Sequence, residues 1–186
     1  MRLISGSAGG IPLEVPKSVT RPTQDRVRQA VFNMLGEFIS EARVLDLFAG
    51  SGALGLECLS RGATSAMLVD QDRGACEVMK KNIAKTRLEG ATIRQGDVFK
   101  TVVQLATAGS TFDLVFADPP YAHKPGDVDL SAKLAAEETL HQIIPSGGSL
   151  ILEALATRNT STFNDPWELV REREYGSTRI VWLRKR

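Results

Sequence analysis

The chain has 186 residues, 42% of them hydrophobic and 24% charged, with a net charge of +1. That length can bury a full core, most simply as a single domain over residues 1–186, and so even a charge argues against a protein that coats nucleic acid. No stretch approaches the roughly 20 apolar residues of a membrane span, and the opening Met1-Arg2-Leu3-Ile4-Ser5-Gly6 has no signal-peptide pattern, so a cytoplasmic protein is expected.

The charge is unevenly spread. Residues 1–30 carry a local +3 and residues 171–186 a local +4, leaving −6 in the middle. Basic ends around an acidic body suit a core that binds a cationic ligand and edges that meet phosphates; a solvated surface with no partner fits equally well. Cys58 and Cys76 stand apart in helix-like segments without a Cys/His cluster, so neither a metal site nor a disulfide is expected.

In chain order, Arg2-Leu3-Ile4 and Pro12-Leu13-Glu14-Val15 read as a short hairpin joined through Gly6, Gly9 and Gly10. After Arg21-Pro22, Thr23 is placed to cap a helix whose apolar residues Val27, Ala30, Val31, Met34, Leu35 and Phe38 recur at helical spacing. Arg26, Arg28, Gln29 and Asn33 are expected off that stripe. From Arg43 strands and helices alternate: strand Val44–Phe48, helix Ala53–Arg61, strand Ala66–Asp70, helix from Asp72 to about Arg87, strand Ala91–Gln95, helix Phe99–Ala106 and strand Phe112–Asp118. A helix Leu134–Ile144, a strand Ser149–Glu153 and a closing pair, Trp167–Arg173 with Thr178–Leu183, complete the chain. The reading is an α/β fold with a doubly wound, mostly parallel seven-stranded sheet. An antiparallel C-terminal edge closes it, and residues 1–40 form an N-terminal hairpin and helix before a Rossmann-like core at 41–186.

In such a sheet ligands bind at the carboxyl ends of the strands. The first strand runs into Asp46-Leu47-Phe48-Ala49-Gly50-Ser51-Gly52-Ala53-Leu54-Gly55, where glycines let the backbone turn tightly and approach a ligand. The string also matches a dinucleotide fingerprint, with Asp70 as a ribose-binding acid. Two features decide against a nicotinamide enzyme. Asp46, four residues before Gly50, would repel a pyrophosphate and favour a ligand carrying an amino group and a sulfonium. The third strand then leads to Gln95-Gly96-Asp97-Val98, so Asp46, Asp70 and Asp97 end three consecutive strands, where a single one would read as a cap or turn residue.

The fourth strand ends in Asp118-Pro119-Pro120-Tyr121. Two prolines fix φ and remove backbone donors, so the chain leaves the sheet on a stiff turn that presents a carboxylate and a flat ring. A rigid strand exit explains this equally well if the turn is taken alone.

Taken together these motifs resemble those of class I S-adenosylmethionine-dependent methyltransferases acting on amino groups of bases. More narrowly, Arg21-Pro22-Thr23-Gln24-Asp25-Arg26-Val27-Arg28 followed by Phe32-Asn33-Met34-Leu35, together with Ala53–Glu57 and Tyr175-Gly176-Ser177-Thr178, resembles the bacterial 16S ribosomal RNA guanine-N2 methyltransferases of the RsmD type. That resemblance implies S-adenosyl-L-methionine as cofactor. Its methionine part would lie over Phe48, Ala49, Gly50, Ser51 and Gly52, above Asp46; its ribose on Asp70 beside Gln71; and its adenine between Asp97 and the backbone of Val98. It further implies catalysis by Asp118, Pro119, Pro120 and Tyr121. The Asp118 carboxylate and the Pro119 carbonyl would accept hydrogen bonds from the target amine while Tyr121 stacks on its base, without a metal. The family's first hairpin usually carries basic residues between its glycines, and Gly6-Ser7-Ala8-Gly9-Gly10-Ile11 has none. The expected RNA contacts are therefore Arg21, Thr23, Arg26, Arg28 and Lys124. The implied partner is 16S rRNA in a 30S subunit or assembly intermediate, met by a monomer. A DNA adenine or cytosine methyltransferase, a tRNA methyltransferase, a small-molecule N-methyltransferase and a non-enzymatic RNA-binding module are the competing readings.

Overall fold

The computed structural model describes residues 1–17, 25–120, 128–156 and 163–186. Its strands form a seven-stranded mixed sheet with helices, an α/β architecture. The chain divides into two compact units, Met1–Val98 and Phe99–Arg186.

In the first unit β1 (Arg43–Leu47), β2 (Ser65–Asp70) and β3 (Ala91–Gln95) lie in the order β3-β2-β1, all parallel. Register pairs Asp46 with Leu68 and Asp70 with Gln95, so the carboxyl ends of these strands face the same way. The connections are the helices α2 (Ala53–Ser60) and α3 (Arg73–Thr86), as the alternating pattern required. Val44, Leu45, Leu47, Leu56, Leu68, Val69 and Met79 are completely buried and form the heart of this unit. Asp72 caps α3 by accepting the Gly74 amide, and Arg87 ends it in the left-handed conformation.

Helix α1 (Asp25–Leu35) is followed by a short 3-10 turn, Gly36–Ile39, which carries Phe38. Its buried face is Val27, Arg28, Val31, Phe32 and Leu35. Arg28 is thus on the apolar stripe, in step with Phe32 and Leu35 at i+4 and i+7, and not off it as the pattern suggested.

The N-terminal segment pairs as expected over a short length, with a bridge between Arg2 and Pro12 and backbone bonds joining Leu3 to Ile11 and Gly10. It docks on α2 through two polar side chains. Glu57, fully buried, accepts the amides of Ile4 at 2.6 Å and Ser5 at 3.0 Å as well as Arg61 Nε at 2.8 Å. Ser60 Oγ accepts the Ala8 amide and donates to the Ser5 carbonyl. Gly6, at φ +81°, has no room for a side chain, since a Cβ there would stand 1.8 Å from the Ser60 carbonyl oxygen.

In the second unit β4 (Leu114–Ala117) pairs in parallel with β5 (Ser149–Leu155). The hairpin strands β6 (Trp167–Tyr175) and β7 (Thr178–Lys185) then give the antiparallel edge, in the order β4-β5-β7-β6. Helix α4 (Val98–Thr107) begins at the unit boundary. The single helix expected over Leu134–Ile144 is two, α5 (Leu130–Ala135) and α6 (Glu138–Ile143). The break has a long-range cause. The Ala135 carbonyl, which a continuous helix would use internally, accepts the Trp167 indole N–H at 2.7 Å and lies 2.8 Å from His141 Nε2.

Candidate active site

The loop after β1 is held in a conformation that few sequences adopt. Phe48, Gly50 and Gly52 have φ of +61°, +54° and +76°. A left-handed phenylalanine is uncommon and is kept only where its surroundings over-determine it. Here they do. Ala49 donates its amide to the Val69 carbonyl at 2.9 Å, and Gly50 donates to Asp70 Oδ2 at 2.8 Å. The other oxygen of Asp70 accepts the Asp72 amide at 2.9 Å. One half-buried carboxylate therefore ties the glycine loop to the start of α3, and each of its oxygens keeps lone-pair capacity for a hydroxyl.

Asp46 lies beneath this loop, 1% exposed, with Oδ2 accepting the Gly55 amide at 3.0 Å. Burial pushes its carboxyl up to about 7; the Gly55 bond opposes this, and the nearby Asp70 charge adds to it. Gly55 allows this close fit, because a Cβ would sit 2.3 Å from Leu68 Cδ2 and 3.4 Å from Asp46 Oδ2.

Asn82 supplies a support with no sequence-level signal. Completely buried in α3, it donates to the Ser51 carbonyl at 2.9 Å and to the Glu14 carbonyl, and accepts the Glu14 amide. The loop and the N-terminal segment thus share one amide side chain. A second link runs from Ser51 Oγ to Met1 Sδ at 3.4 Å. Glu57 did carry a signal, being a charged residue inside the otherwise apolar run Leu54–Leu59.

Gln71 and Asp97 are exposed at the ends of β2 and β3, and Val98 is buried where α4 starts. Gly96 donates to the Asp70 carbonyl at 3.0 Å, which holds the turn bearing Asp97 beside the end of β2. Asp46, Asp70 and Asp97 therefore end three parallel strands of one unit, Asp46 beneath the glycine loop and the other two at its rim.

In the second unit β4 is buried throughout and leads into a half-buried Asp118, a buried Pro119 and an exposed Pro120. Tyr121 and Lys124, like Arg21 and Thr23, lie outside the described residues. Arg26 is exposed. Arg28 is 1% exposed and therefore does not belong to the surface cations open to an RNA backbone. Its Nη2 donates to the Arg2 carbonyl at 2.6 Å and to Asp25 Oδ1 at 2.8 Å. Its Nε and Nη1 have no hydrogen-bond partner among the described residues.

The family model described as Conserved hypothetical protein 95 matches residues 1–184. Ribosomal RNA small subunit methyltransferase D of Escherichia coli (strain K12) is 35% identical over 182 residues, spanning 95% of this chain and 85% of its own. Among solved structures, the hypothetical protein TTHA0928 of Thermus thermophilus superposes with a TM-score of 0.81 at 32% identity, with 98% of each chain covered. SMU.776, solved in complex with SAH, shares the fold alone, with a TM-score of 0.69 at 16% identity over 86% of this chain and 48% of its own.

Proposed function

The chain belongs to the family described as Conserved hypothetical protein 95, and from that premise we propose that it is an S-adenosylmethionine-dependent methyltransferase acting on ribosomal RNA. Its product is the N2-methylated form of a guanine in 16S rRNA. It acts as a monomer on a 30S particle or assembly intermediate in the cytoplasm. The observation that carries the reading is Asp70, a strand-end carboxylate fixed by the Gly50 and Asp72 amides and still able to accept from a ribose diol.

The residues of the first unit fit the cofactor. Gly52 and Gly55 let the loop and the start of α2 pack closely on β2, since a Cβ on Gly52 would meet Leu68 Cδ1 at 2.9 Å and the contact at Gly55 is closer still. Phe48 to Gly52 would underlie the methionine part, Asp70 with Gln71 would hold the ribose, and Asp97 with the Val98 backbone would receive the adenine. The cofactor supplies an electrophilic methyl group on a sulfonium. A carboxyl at Asp46, pushed up to about 7 by burial, is driven toward its ionised form by a nearby cation.

The acceptor chemistry belongs to Asp118-Pro119-Pro120-Tyr121. An aromatic amine is a weak nucleophile because its lone pair is delocalised into the ring. Hydrogen bonds from that amine to the Asp118 carboxylate and the Pro119 carbonyl let the nitrogen rehybridise, and they match the charge that develops on it. Tyr121 stacks on the base and fixes its direction, so the rate comes from positioning. A guanine inside folded RNA must be unpaired or splayed out to reach the turn. Arg21, Thr23, Arg26 and Lys124 are assigned to the RNA backbone.

Incubation with radiolabelled S-adenosylmethionine and either free 16S rRNA or 30S particles, followed by mapping of the labelled nucleotide, tests the reading. Label at one guanine of the small-subunit RNA is expected. Label confined to DNA, tRNA or a small amine would replace the reading with one of its competitors.

A further inference from the structure

Residues 171–186 carry a local charge of +4, and the hairpin of β6 and β7 distributes it unevenly between its two faces. Directly paired residues of an antiparallel ladder share a face. Register pairs Arg171 with Trp182, Arg173 with Ile180 and Tyr175 with Thr178, so two arginines and a tyrosine line one face of β6 at alternate positions. Arg184, half-buried, joins them from β7, opposite Glu168 and with its guanidinium carbon 5.9 Å from the centroid of the Trp182 ring. The acids between the arginines take the other face. Glu172 pairs there with the buried Arg179 at 3.3 Å, and Glu174 is opposite Arg179 in register. Arg171 and Arg173 are exposed, and among the described residues neither forms a salt bridge. Arg173 Nη1 donates only to the neighbouring Glu172 carbonyl, at 3.0 Å.

The arginines are level with the turn proposed to hold the acceptor. Register runs across the sheet from Ala117 to Leu152, from Leu152 to Val181 and from Val181 to Glu172, and β6 is parallel to β4. Glu153, Ile180 and Arg173 form the next row, the one that Asp118 enters as β4 ends. Neighbouring strands lie about 4.8 Å apart, so three spacings set β6 about 14 Å along the sheet from β4.

An exposed edge strand is commonly guarded by charges and by a bulge, and β6 has both, with its irregularity between Leu169 and Arg171. Either sign on either face would serve that purpose. Edge protection leaves unexplained why, from Arg171 to Tyr175, the cations and a ring take one face and both acids the other. A phosphate backbone accounts for it. Guanidinium groups bind phosphate through paired N–H groups, and single-stranded nucleic acid is held by cations beside aromatic rings.

We propose that Arg171 and Arg173 bind phosphates of the RNA backbone beside the target guanine, which makes this face of the β6–β7 hairpin an RNA-binding surface. The inference rests on the RNA reading given above. It adds a contact within the unit that carries the acceptor turn and gives the basic C-terminal segment a partner.

Filter binding of 16S rRNA to the full chain across a salt series tests it. Arg171→Gln combined with Arg173→Gln should weaken binding about tenfold and lower the slope of log K against log salt by about 1.5, with affinity for S-adenosylhomocysteine unchanged. KM for RNA should rise while kcat at saturating RNA holds. Lys80→Gln combined with Lys81→Gln removes the same charge from exposed positions of α3 and should change binding far less. Equal losses in the two double variants, or no loss in the arginine variant, overturn the inference. In the wild type, phenylglyoxal should modify Arg171 and Arg173 in the free protein, and bound RNA should protect both. Modification undiminished by RNA overturns the inference without any variant having to fold. A wild type that neither binds nor methylates 16S rRNA overturns the RNA reading itself.

Discussion

The Gly50 amide donates to Asp70 Oδ2 at 2.8 Å across twenty residues of sequence, and so the shape of the glycine loop depends on the carboxylate at the end of the neighbouring strand. Asp70→Asn keeps one acceptor and turns the other into a donor facing an amide. We expect a stability loss of about 1–2 kcal/mol and a larger effect on cofactor binding, about tenfold or more in Kd. Calorimetry with S-adenosylhomocysteine against chemical denaturation separates the two, and unchanged affinity would remove Asp70 from the site.

Asp46 makes stability depend on pH. Its carboxyl is raised to about 7 by burial, whereas an unfolded aspartate titrates near 3.8. Between these values the folded chain holds a proton that the unfolded chain has released. Stability from this group is therefore fully present below the lower value and is lost as pH rises through about 7. Asp46→Asn, which retains an acceptor for the Gly55 amide, should gain on the wild type by on the order of 4 kcal/mol between pH 4 and 8. Denaturation curves across that range check this, and parallel pH profiles for the two proteins would contradict it.

Glu57 holds the N-terminal segment against α2 through the amides of Ile4 and Ser5. Glu57→Ala strands both amides and leaves Arg61 without its carboxylate, at a cost of about 3 kcal/mol. Hydrogen exchange should speed up at Ile4 and Ser5 before the rest of the unit opens. Uniform exchange across the unit would mean that the segment is held by other contacts.

Asp118→Ala should abolish methyl transfer while leaving the affinity for S-adenosylmethionine intact, because the turn proposed to hold the acceptor follows β4 and the loop proposed to hold the cofactor follows β1. Single-turnover assays with RNA, paired with equilibrium dialysis of the cofactor, distinguish the two losses. Loss of both together would count against a catalytic role.

Arg26 is exposed on α1, and Arg26→Glu should raise KM for RNA and lower the slope of log K against log salt by about one. An effect on turnover with a small amine alone would point away from RNA.

The alternation of strand and helix and the glycine loop were legible because period and punctuation are local properties of the chain. β1 to β3 and their helices follow the expected bounds within a residue or two. What was not legible depends on partners far away in sequence. The division of the Leu134–Ile144 helix depends on Trp167, and the support of Ser51 depends on Asn82. Arg28 differs from both. Its spacing to Phe32 and Leu35 already placed it on the buried face, but a charge there reads naturally as surface until its packing is seen.

Nucleoside analysis of 16S rRNA after treatment with the purified protein and S-adenosylmethionine tests the central claim most directly. The account predicts N2-methylguanosine, stoichiometric at one position and absent with Asp118→Ala. Methylation on another atom, on another base or on another class of RNA would contradict it.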